Sequence, residues 1–91
     1  MRVILDGKQI ESREMLHEQL ARELAFPAWY GGNLDALFDC LTDLREETEI
    51  TLCSYPALEE TLGGYAGVLV RVLREAAEEN PRIELRLTEN L

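Results

Sequence analysis

Ninety-one residues, 46% of them apolar and 30% charged, fit one packed domain that buries about 60–65% of its unfolded surface and leaves no room for a second core. Eighteen acidic against nine basic residues give a formal charge of −9, which opposes phosphate backbones and anionic lipid, so the partner expected is a basic protein, with no nucleic acid and no membrane. The opening residues Met1 to Gly7 hold too short an apolar run for a leader or a span, and Cys40 and Cys53 fit no metal spacing, so a cytoplasmic monomer with free thiols, no metal and no cofactor is expected.

Taken in order, the chain opens with a short apolar strand over residues 2–6, closed by an Asp6-Gly7 turn. Ser12 stands where an N-cap should, with Glu14 in the first turn, and the spacing predicts a helix over 13–25 that Pro27 stops. Leu16, Leu20 and Leu24, with Ala21 beside them, make its core stripe, while Glu14, Glu18, Arg22 and Glu23 face solvent. His17 has no second histidine or cysteine spaced to join it and reads as a partly exposed structural residue, not a metal ligand or a catalytic base. The loop from Phe26 to Gly32 contains Gly31-Gly32 but lacks the Lys-Ser or Lys-Thr of a phosphate cradle.

A helix is predicted from an Asn33 N-cap to Leu44, then a charged turn and a strand over about 49–54, where Ile50 and Leu52 alternate with Thr51 and Cys53. Pro56 suits the first turn of a short helix to Leu62, and Gly63-Gly64 breaks it before a long helix over 65–79. Val68, Leu69, Val72, Leu73 and Ala76 are its predicted core stripe, and Asn80-Pro81 ends it. A last strand over 83–88 alternates Ile83, Leu85 and Leu87 with charged and polar residues. The order reads as an α/β fold of two layers, a three-stranded parallel sheet packed with about four helices. Strands laid in chain order with right-handed crossovers put every helix on one face, although the all-apolar first strand argues for a central place.

The stretch 29–42 stands apart from this scaffold. Leu34, Leu37, Leu41 and Leu44 fall on one stripe of its helix, and Asp35, Phe38, Asp39 and Thr42 on another, roughly 100° or more around. Asp35 sits in the first turn, where the helix dipole favours a negative charge, but Asp39 lies a turn further in, beyond that effect. There it is a poor helix former and a like-charge neighbour of Asp35, which costs a few tenths of a kcal/mol. An aromatic between two carboxylates, with Trp29 and Tyr30 nearby, has the composition of a binding hot spot ringed by polar groups.

Leu24-Ala25-Phe26-Pro27, Trp29-Tyr30-Gly31, Asn33-Leu34-Asp35-Ala36-Leu37 and Asp39-Cys40-Leu41-Thr42 closely resemble the barstar family, intracellular bacterial inhibitors of the secreted ribonuclease barnase. The resemblance extends over nearly the whole chain, with Trp29 in place of tyrosine, Gly32 in place of glutamate, and Phe38 and Leu44 in place of tryptophans of the best-known member. It implies inhibition of a guanyl-preferring microbial ribonuclease or a ribonuclease toxin domain, in an antitoxin or immunity role. By the resemblance Asp39 fills the enzyme's phosphate pocket and Asp35 engages a neighbouring cationic loop. Trp29, Tyr30, Gly31, Asn33, Phe38, Thr42 and Leu44 pack around them, and Glu75 and Glu79 reach in from the late helix. Two other readings start from the same residues. The paired carboxylates of an enzyme would need a histidine, nucleophile or metal-ligand cluster beside them, and none is spaced to supply it. A non-enzymatic acidic module binding a different basic partner needs only the charge.

Overall fold

Alternation along three short segments builds the sheet. In the computed structural model, which describes residues 1–89, the strands are β1 (Arg2–Asp6), β2 (Thr48–Cys53) and β3 (Ile83–Thr88). Val3, Leu5, Ile50 and Leu52 are sealed from solvent on one side, and Ile83 and Leu85 extend that side across β3. The order is β1-β2-β3 and both pairs are parallel, with Val3 beside Ile50 and Ile50 beside Leu85. The central strand is therefore β2, not the all-apolar β1, and its burial is the deepest of the three.

Parallel neighbours cannot be joined by a hairpin, so each junction carries a pair of helices. Helices α1 (Arg13–Glu23) and α2 (Leu34–Thr42) connect β1 to β2, and α3 (Tyr55–Leu62) and α4 (Gly64–Glu79) connect β2 to β3. In-order strands with right-handed crossovers place these helices on the apolar face, as the predicted two-layer α/β architecture requires. The other face stays open and carries an ion-pair ladder. Glu49 lies 3.1 Å from Arg2 and 3.5 Å from Arg86, and Arg86 lies 2.9 Å from Glu84. Such exposed pairs contribute at most about 1 kcal/mol, and they give the open face polar cover.

The helix starts follow the predicted caps, and some of the ends do not. Ser12 accepts from the Met15 N–H at 3.1 Å, as its position before Arg13 predicted. At the other end, α1 stops at Glu23, two residues earlier than predicted. Ala25 takes the left-handed conformation, φ 53°, and the Phe26 N–H reaches back to the Ala21 carbonyl at 3.0 Å, a Schellman closure with alanine in glycine's usual place. The chain has turned before Pro27 is reached. Likewise α2 ends at Thr42, not Leu44. On α4 the buried stripe is Ala66, Leu69, Leu73 and Ala76, whereas Val68 is 36% exposed and Val72 only half-buried. Both valines precede a buried leucine by one residue, which turns them about 100° away from the sheet.

Candidate functional site

Asn33, in extended backbone, accepts from the Ala36 N–H at 2.8 Å and starts α2 where predicted. Leu37, Cys40 and Leu41 then face the core, while Leu34 and Leu44, counted in the predicted leucine stripe, are only half-buried. Asp35 and Asp39 are exposed, four residues or about 6 Å apart along the axis, and no ion pair among the described residues involves either. Phe38 is half-buried against the core. The Thr42 hydroxyl donates back to the carbonyls of Phe38 (2.9 Å) and Asp39 (3.2 Å), so toward a partner it is an acceptor.

Of the three aromatics Trp29, Tyr30 and Phe38, only Trp29 is fully open. Trp29 is 73% exposed, whereas Tyr30 is half-buried, its ring 4.9 Å from that of Phe26 and its hydroxyl hydrogen-bonded to Nδ1 of His17. Gly31 lies close to the cap, since a Cβ there would come within 3.2 Å of Nδ2 of Asn33. Between this loop and α1 lies an open groove of about 580 Å³ lined by Glu14, His17, Glu18, Phe26, Tyr30 and Gly31 among others.

His17 is buried, 4% exposed, and not partly exposed as its sequence context predicted. The loop folds back over it, and the hydroxyl of Tyr65, in the first turn of α4, sits 2.7 Å from its Nε2. Burial lowers its pKa from the ordinary histidine value, against the opposing charge of Glu14. The guanidinium of Arg13 stacks over the Tyr65 ring at 4.1 Å. The sequence signal lay in register: His17 follows Leu16 and precedes Leu20 by three, on the inner side of its helix.

Asn80 also does more than stop a helix. Only 5% exposed, it donates through Nδ2 to the carbonyls of Leu41 (2.9 Å) and Leu44 (3.0 Å) and accepts the Arg82 N–H through Oδ1 at 3.1 Å. The Leu41 carbonyl already accepts the Leu44 N–H at 3.2 Å, and Asn80, from the end of α4, adds a second donor there and reaches the Leu44 carbonyl just beyond α2. At the opposite end Tyr65 shares a cleft with Asn33, Leu34 and Asp35. The two helices thus run side by side in one direction. Glu75 and Glu79 lie exposed toward the end of α4, Glu79 next to the tethering Asn80.

Chemically the face can hold cations by hydrogen-bonded charge and offer an aromatic beside them. Among the described residues no three histidines, cysteines or acids are grouped to hold a metal. Cys40 and Cys53 are free and buried, and burial raises both thiols above their ordinary value, away from nucleophilic use.

Comparison with known proteins places this geometry in a family. A protein of Bacillus subtilis (strain 168) carrying the name "Putative ribonuclease inhibitor YrdF" is 40% identical over 79 residues, which cover 86% of this chain and 87% of that protein. Residues 1–88 match the family model described as Barstar (barnase inhibitor), and with nearly the whole chain so covered, it belongs to the barstar family.

Proposed function

We propose that this chain inhibits a guanyl-preferring microbial ribonuclease, or a toxin domain of that fold, by seating Asp39 and Asp35 among the cations that hold RNA phosphate. Family membership supports ribonuclease inhibition in general. The observation that carries the finer reading is a pair of exposed carboxylates, without ion pairs among the described residues, on a helix fixed at both ends. A ribonuclease binds phosphate with Arg, Lys and His, and a carboxylate held rigidly at that position makes charge-assisted hydrogen bonds to the same groups. Helix α2 is ordered before binding, so little conformational entropy is lost on docking. Trp29 covers the rim as an aromatic anchor, and Glu75 and Glu79 extend the negative field from α4. The chain acts as a cytoplasmic monomer in an antitoxin or immunity role.

Asp39→Ala tests this reading. Removing it strands the enzyme's cations without a counter-charge, which weakens inhibition of barnase by about 2–5 kcal/mol or more, a range partly calibrated on the barnase–barstar pair itself. That corresponds to a rise in inhibition constant of roughly 30-fold to several thousand-fold. Stability changes little or rises by a few tenths to about 1 kcal/mol, through relief of like-charge repulsion and the helix propensity of alanine. Inhibition titrations and denaturant melts, with exposed Glu18→Ala as control, check both halves. Unfolding of Asp39→Ala with unchanged inhibition by its folded fraction would make Asp39 a structural residue and refute the proposal.

A further inference from the structure

Three polar rings from distant parts of the chain meet under the loop that carries Trp29. His17 belongs to α1, Tyr30 to the loop and Tyr65 to α4, and both ring nitrogens of His17 are hydrogen-bonded to tyrosine hydroxyls. A neutral imidazole has one N–H and one lone-pair nitrogen, so one tyrosine donates to the ring while the other accepts from it. Leucine at this position would fill a core site without needing partners. Burying His17 between two half-buried tyrosines is tolerable only when its polar atoms are bonded, and among the described residues no buried side-chain polar atom lacks a partner.

The loop has few other attachments. It leaves α1 through the Phe26 N–H bond to Ala21 and enters α2 through the Asn33 cap, and between them Tyr30 makes a backbone bond to Pro27 and packs on Phe26. Trp29, largely in solvent, anchors nothing itself. Gly32, at φ 68°, passes directly over His17, where a Cβ would stand 4.0 Å from that of the histidine. We propose that His17 is the positioning residue of this loop: through Tyr30 on one nitrogen and Tyr65 on the other, it fixes the Trp29–Gly32 segment relative to α4, whose first turn shares a cleft with Gly32 and Asp35. The tether stands on geometry alone, whereas its value for binding rests on the inhibitory reading above.

Among the described residues Tyr65 is hydrogen-bonded to the loop only through His17, which makes Tyr65→Phe the discriminating variant. It removes one hydroxyl and keeps the ring under Arg13. Amide hydrogen exchange over residues 28–32 is expected to rise about 2- to 10-fold, the loss of one hydrogen bond, and the anisotropy of Trp29, the sole tryptophan, is expected to fall. Amides of β2 are expected to keep their protection. Unchanged exchange in the loop would overturn the proposal, and so would a uniform rise across the protein, which marks a merely structural contact. As a second measurement on the unaltered chain, ¹⁵N spectra of the His17 ring at neutral pH are expected to show one protonated and one accepting nitrogen, and rapid exchange between tautomers would count against the tether. Inhibition of barnase by Tyr65→Phe is expected to weaken about 3- to 10-fold. If the unaltered chain inhibits neither barnase nor other guanyl-preferring microbial ribonucleases and toxin domains of that fold, the inhibitory reading falls, while the exchange and ring measurements still decide the tether.

Discussion

At its C-terminal end α2 is held by a single buried carboxamide, and at its N-terminal end by a cap open to solvent and a loop tied through ring hydroxyls to an imidazole. Asn80 bonds to main-chain carbonyls and has no proton to gain or lose near neutral pH. The Tyr30–His17–Tyr65 cluster contains a titratable ring, and its lowered pKa follows from the same burial that gives the cluster its value. One end of α2 is thus locked by chemistry that conditions do not alter, and the other by chemistry that acidity does. Asp39 stands nearer the locked end, Trp29 and Asp35 nearer the adjustable one.

The locked end gives the largest effect. Asn80→Ala removes one of two donors from the Leu41 carbonyl, the donor of the Leu44 carbonyl and the side-chain acceptor of the Arg82 N–H, and is expected to destabilise the fold by about 2–3 kcal/mol, measured by urea denaturation. A loss below that of Asn33→Ala would reverse the comparison.

Acidity should reveal the other end. The folded state lowers the His17 pKa below its unfolded value near 6.5, so between these values the unfolded chain binds more protons and stability declines as pH falls. The contribution is fully present above about pH 6.5 and has a slope of up to about 1.4 kcal/mol per pH unit inside the window. Stability against pH for the unaltered chain and for His17→Gln should differ by that slope, whereas Asn80→Ala should retain it. Next comes the cap: Asn33→Ala is expected to cost about 1 kcal/mol by the same denaturant measurement. The smallest effect lies just before the loop. Ala25→Gly relieves a left-handed alanine at the cost of a more flexible unfolded chain, for a net gain of a few tenths of a kcal/mol and a Tm rise of about 1–3 °C.

Ser12, Asn33, Pro56 and the leucine spacing of α1 made most of the fold legible, because caps and periodicity act within one or two turns. The exposed aspartates were legible for the same reason, as a pattern that a core-facing helix does not need. What escaped was non-local. Asn80 reads as a helix stop until Leu41 is brought beside it, and the burial of His17 depends on Tyr65, far along the chain. Val68 carried an apolar side chain at a plausible spacing, and only the placement of α4 against the sheet turns it outward. The end of α1 was misplaced because Pro27 is a strong stop signal, whereas alanine gives no warning that it will adopt a left-handed turn.

The all-parallel sheet has a consequence for how the chain folds. Every strand pairing joins residues tens of positions apart, Arg2 with Glu49 and Thr48 with Ile83, and no hairpin offers a cheaper first contact. Loop-closure entropy must therefore be met before any ladder forms, which raises contact order and slows the search relative to a helical bundle of equal length. The local contacts available early are those within α1 and α2 and between the consecutive helices α3 and α4, so those elements are expected to be ordered in the transition state while both sheet edges are still open. Mutational φ-values near zero at Val3 and Ile83, against substantial ones at Leu69 and Leu73, would show that the helical layer forms first and the sheet assembles on it.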